Sequence, residues 1–312
     1  LHDALPIYDI YIDEYGMVWI ATEDGLNRYN GYSIDTFYSE RNNSSSLPNS
    51  RVRRITGDGK GHIWLLCQQS VVELDLYSMK FRTLLSSGAV NDIFYHKEND
   101  CLYAGINRKV RSWDPVSRKF INETDLIVSS NILKMSFAGE YVYVGTYDKG
   151  VWRINLNNNS HECIIKSLQA TDIFEDSKGN VWICTMHGGL YLFGADGVNR
   201  VFTHDVNNPS GITSDFIRCC CEDDSGRLWI GTDVGLSCYD PEADKFMNYN
   251  SNPSSGITHP SVWCSVKDAQ GNIWIGTYYG GVNYFNPEHE VYKTYSRSDS
   301  KGRALSNNVV GP

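Results

Sequence analysis

Apolar residues along this chain come in short runs, alternating or continuous, bounded by Gly, Asn, Asp and Pro and rich in Val, Ile, Tyr, Phe and Trp. That is the signature of strands. No window carries the i, i+3, i+4 apolar spacing of an amphipathic helix. The runs also repeat. VWIAT around Trp19 recurs as IWLLC at Trp64, VWICT at Trp182, LWIGT at Trp229 and IWIGT at Trp274, with weaker copies LYAGI at Tyr103 and VYVGT at Tyr143. These anchors lie 45, 39, 40, 39, 47 and 45 residues apart, the length of one propeller blade.

Each unit reads as four strands. An alternating stretch such as VRRIT or TDIFED comes first, then the aromatic anchor strand, then a third strand such as GLNRY or GLSCY. A fourth follows, such as KFRTLL or KFMNY. The sequence therefore predicts an all-β chain folded as a seven-bladed β-propeller of four-stranded antiparallel blades. The propeller is expected over residues 7–297. Residues 1–6 stand outside the pattern and read as foreign to it or disordered. Residues 298–312 read as a linker and the start of a following repeat.

Five units carry Asp-x-x-Gly-x-x-Trp, with the aspartates at 13, 58, 176, 223 and 268. Five carboxylates invite a chemical reading, but a group recurring at one place in successive units belongs to the scaffold. Here it suits a turn, with Asp accepting backbone N–H bonds and Gly in the left-handed region. The pairs Asp114-Pro115, Asp240-Pro241 and Asn286-Pro287 likewise read as hairpin turns.

Function is expected where the repeat is broken. Two loop sets share one face of such a disc: those leading into each first strand and those joining second to third strands. At the latter, the units differ, and Arg108, Tyr147, Asp148, His187, Asp233, Tyr278 and Tyr279 stand out as candidate ligand-binding residues. Arg51 and Trp263 join them from the approach to the first strand, Trp263 reading equally as a channel plug. Aromatic faces flanked by carboxylates and amides suit an uncharged or acidic saccharide.

Composition narrows the choice. With 28 Lys+Arg against 37 Asp+Glu the net charge is −9, and no basic cluster marks a nucleic-acid surface. No apolar run approaches the length of a membrane span, so membrane contact is not expected. The nine cysteines include no CxxC pair and mostly sit in apolar runs, where they read as small hydrophobes. Neither metal spacing, nucleophile elbow nor phosphate loop is present, so no cofactor, metal or catalytic residue is assigned.

The pattern D-x-x-G-x-x-W-I-G-T-x-x-G-L-x-x-Y, clearest at 223–239 and 13–29, resembles the two-component regulator propeller repeat, over residues 7–295. The third and fourth units lack both the turn Asp and the Trp. The resemblance implies a periplasmic sensor region of a Bacteroidetes-type hybrid two-component system, a histidine kinase with regulator modules. It also implies an oligosaccharide ligand, or a scaffold contribution to its site, and a homodimeric parent. This chain would be one propeller of that assembly, without enzymatic activity of its own. Two other readings stay open. A propeller enzyme, a polysaccharide lyase or glycosidase, would draw on Arg108, Asp148, His187 and Tyr278. A protein docking platform would use Tyr147, Trp263, Tyr278 and Tyr279.

Overall fold

A computed structural model describes residues 6–86, 89–125, 130–249, 257–288 and 291–295. The expectations for residues 1–5 and 298–312 lie outside them. The described residues form seven four-stranded antiparallel sheets, each from four consecutive strands, and contain no helix long and apolar enough to cross a membrane. The blades span residues 7–37, 52–86, 90–125, 132–165, 170–202, 217–249 and 262–295. The predicted seven-bladed propeller is the observed fold.

The first strand of every blade is innermost, and these seven strands touch in sequence order around the axis, the seventh returning to the first. Each sheet has two faces to bury, and stacking against both neighbours buries them. Among the described residues the core accordingly divides into seven apolar clusters, one between each pair of adjacent blades. The anchor strands VWIAT, VWICT, LWIGT and IWIGT are buried throughout. Tyr103 and Tyr143 occupy the same buried place in the degenerate units, so those units build full blades without the motif.

The turn aspartates do what the spacing predicts, and more. One carboxylate oxygen of Asp13 accepts the backbone N–H of Tyr15 and Met17, and its other oxygen accepts the indole N–H of Trp19 at 2.8 Å. Asp176, Asp223 and Asp268 repeat this with Trp182, Trp229 and Trp274 at 2.8–2.9 Å. The intervening glycines sit at φ of 75–104°, where a side chain would be strained. In the second unit the His62 ring contacts Asp58 instead, and the buried Trp64 indole N–H has no partner among the described residues, its ring stacking on Tyr95. The side chains of Asp114, Asp240 and Asn286 accept the N–H two residues on, closing the expected turns.

Three of the segments that lead into the next innermost strand each bury an apolar residue. Leu47, Ile212 and Ile257 are at most 1% exposed and plug into the inter-blade clusters. They pin the path from an outer strand to the next innermost strand.

Candidate functional site

Every innermost strand is bulged near its start. The pairing with the second strand slips by one residue at Tyr8, Arg53, Asn91, Leu133, Thr171, Arg218 and Trp263 in blades one to seven. A bulge breaks strict alternation and re-aims a side chain. All seven of these residues line a cavity of about 500 Å³ at the mouth of the central channel. Around that ring Trp263 and Tyr8 form an aromatic pair, 5.7 Å apart edge to face, flanked by Arg218 on one side and Arg53 on the other. Asn91, Leu133 and Thr171 complete the ring.

One residue deeper, the cavity has a floor of opposite design. The residues after the bulges are Asp9, Arg54, Asp92, Lys134 and Asp172 in blades one to five, then Cys219 and Cys264. The charges alternate in sign from blade to blade. Arg54 lies 3.6 Å from Asp9 and 3.5 Å from Asp92, and Lys134 lies 2.9 Å from Asp172. An innermost strand also has an unpaired edge whose N–H groups need acceptors. The three aspartates supply them across blade boundaries: Asp9 to Ile55 N–H at 2.8 Å, Asp92 to Met135 N–H at 2.8 Å, Asp172 to Cys220 N–H at 3.4 Å. Burial pushes the Asp9 carboxyl up from its ordinary range, opposed by Arg54 and the bond from Ile55. Burial draws the Arg54 proton affinity down, but Asp9 and Asp92 outweigh it and the net shift is upward. The floor cysteines have buried thiols pushed upward by desolvation, which keeps them protonated and unreactive.

The rim is held by the motif threonines. Thr22, Thr146, Thr185, Thr232 and Thr277 end their anchor strands, and each hydroxyl donates to a glycine carbonyl across the loop. Gly189 there has φ of 78°, and an added Cβ would run into the Phe202 carbonyl. The second and third units close with two-residue turns through Gln68 and Asn107, both at positive φ. A fixed frame thus presents variable residues.

Of the nine candidates, Arg51 and Trp263 line the cavity. Arg51 donates to the Tyr8 hydroxyl at 2.8 Å and pairs with Glu23 at 2.9 Å, while Tyr8 donates to Glu23. Burial and that bond to Glu23 push the Tyr8 hydroxyl up to about 12. Tyr278 stacks on Trp263 at 5.1 Å, and Tyr279 packs on Tyr278 and His259, so the aromatic wall continues onto the rim. His187 rests against Phe216, itself a lining residue. Asp233 is half-buried in the loop of blade six and acts electrostatically on Arg218. Arg108, Tyr147 and Asp148 are exposed on the rim of blades three and four, outside the lining, and Asp148 pairs with Lys149 at 3.1 Å. Arg108, Asp148, His187 and Tyr278 stand on four different blades. The described contacts of Asp148, His187 and Tyr278 lead elsewhere.

Three stretches, 165–187, 211–234 and 256–279, match the sequence profile of the family described as two component regulator propeller. Each runs into the innermost strand of a blade, through the anchor strand, and ends on the rim loop. The chain carries two component regulator propeller repeats. The matched repeats are those of blades five to seven, so the unit at 13–29 lies outside them. No curated protein sequence matches the chain.

Solved structures share the fold. The extracellular domain assigned to a hybrid two component system of B. thetaiotaomicron matches at 18% identity and a TM-score of 0.50, over 97% of this chain and 54% of that one. The chain thus spans about half the length of that domain. A streptogramin B lyase matches at 12% identity and a TM-score of 0.71, over 91% and 94% of the two chains. The WD40 propeller of Doa1 matches at 13% and 0.66, over 92% and 95%. At these identities the likeness is one of fold.

Proposed function

We propose that this chain is a sensor propeller from the extracytoplasmic part of a hybrid two component system, and that it binds an oligosaccharide at the mouth of its channel. The observation that carries the reading is the cavity itself: about 500 Å³, walled by Trp263 and Tyr8 and ringed by Arg, Asn and Thr side chains. Ligand pockets combine an apolar face with a few placed polar groups, and aromatic faces suit the C–H face of a sugar ring. The regulator repeats and the extracellular hybrid-system neighbour support the setting.

The lyase reading has less behind it. The shared fold with a streptogramin B lyase carries no residue over at 12% identity, and the four nominated residues are dispersed around the rim.

Calorimetric titration of the chain against a panel of plant and host oligosaccharides tests the reading. Saturable binding is expected, weakened about tenfold or more by Trp263→Ala through loss of the stacking wall. Binding that Trp263→Ala leaves untouched would move the site off the channel mouth. Silence across the panel from folded protein would leave the propeller a scaffold.

A further inference from the structure

We propose that the ligand of this cavity carries an anion, a carboxylate on a ring-shaped body as in a uronate-containing saccharide, and that Arg218 receives it. The inference rests on reading the channel mouth as the ligand site. It starts from a charge imbalance: five cationic side chains line the cavity against three carboxylates, in a chain of net charge −9.

The partners of these cations show where the imbalance lies. Arg54 is shared between Asp9 and Asp92, Lys134 is held by Asp172, and Arg51 is held by Glu23. Among the described residues Arg53 reaches only the Gln68 carbonyl, at 3.5 Å. Arg218 makes no hydrogen bond or ion pair among the described residues. Its guanidinium lies 4.3 Å from the Phe216 ring centre and 4.4 Å from that of Trp263, with a buried Nε lacking a partner.

Aromatic rings fix the plane of a guanidinium and strip water from it without supplying a counter-charge. Asp233 is the carboxylate whose charge most opposes the effect of burial on Arg218, yet no ion pair joins them, and Asp233 Oδ1 is itself buried without a partner among the described residues. A guanidinium so held is preorganised for the two parallel bonds that a carboxylate accepts. Trp263, one of the two rings against the guanidinium, is also half of the wall that would take the ring body. Recognition of the ring and of the anion are therefore adjacent, and Arg53 offers a second cation across the aromatic pair.

The test titrates the chain with oligogalacturonides and glucuronate-containing disaccharides, and with their carboxyl-reduced neutral counterparts. Wild type and Arg218→Gln are compared, thermal unfolding confirming that both are folded; Arg53→Gln serves should Arg218→Gln not fold. Uronates are expected to bind and their reduced forms to bind at least tenfold more weakly. Arg218→Gln should lower uronate affinity about tenfold to a hundredfold, and added salt should weaken it. Neutral and acidic members binding alike, with Arg218→Gln indistinguishable from wild type, overturns the anion assignment and leaves the channel-mouth site standing. No binding in either set overturns both.

Discussion

Asp92→Ala is expected to lower the unfolding free energy by about 3–5 kcal/mol, although the residue lies in no motif. Its side chain is 4% exposed and works in two directions at once. Toward blade two it neutralises Arg54, and toward blade four it accepts the Met135 N–H. Alanine leaves Arg54 with Asp9 as its remaining carboxylate, and it orphans an edge-strand donor that water reaches poorly. Asp92→Asn separates the two losses, because its amide oxygen still accepts from Met135 while the charge is gone; an intermediate loss is expected. Urea denaturation measures both. A midpoint for Asp92→Ala equal to wild type would mean that the ring of alternating charges contributes nothing to holding the blades together.

That ring also marks where reading the sequence stops. The blades were legible because the anchor strand recurs at nearly constant spacing and its neighbours alternate in the strand period. The turn aspartates were legible as caps, since Asp-x-x-Gly is a local device. Their second bond, to the indole six residues on, depends on the hairpin folding the Trp back over the turn. The bulges were not legible: Tyr8, Arg53, Asn91, Leu133, Thr171, Arg218 and Trp263 have no side-chain type common to all seven. Trp263 stood out only by its size. The floor charges are separated by roughly one repeat length each, and their alternation becomes a network only once the inner strands close into a ring. Reading the variable loops placed attention on the rim, because loops carry most sites. The cavity lies one layer below, on the strands, and reaches the rim mainly through Tyr278 and His187.

Trp274→Ala is expected to cost about 3–5 kcal/mol as well, and its position makes the loss consequential for the whole ring. Each blade consists of four consecutive strands, so no described strand is exchanged between the seventh blade and the first. Closure there relies on packing of the innermost strands and on one apolar cluster, in which Trp274 meets Ile7, Ile10, Ile20 and Val282. Its ring lies 4.5 Å from Tyr284 and 6.2 Å from Tyr29 across the boundary, and its indole N–H reaches Asp268 at 2.9 Å. Alanine opens a cavity at the one joint that chain connectivity does not reinforce. Trp274→Phe keeps most of the volume and removes the indole donor, so it should cost about 1–2 kcal/mol. Trp64→Phe is the control, since the Trp64 indole N–H has no partner among the described residues to lose; it should cost less. Equal losses for the two Phe variants would show that the Asp–Trp bond does not stabilise the blade. A Trp274→Ala protein that melts with wild type would show that the first and seventh blades are held by something other than this cluster.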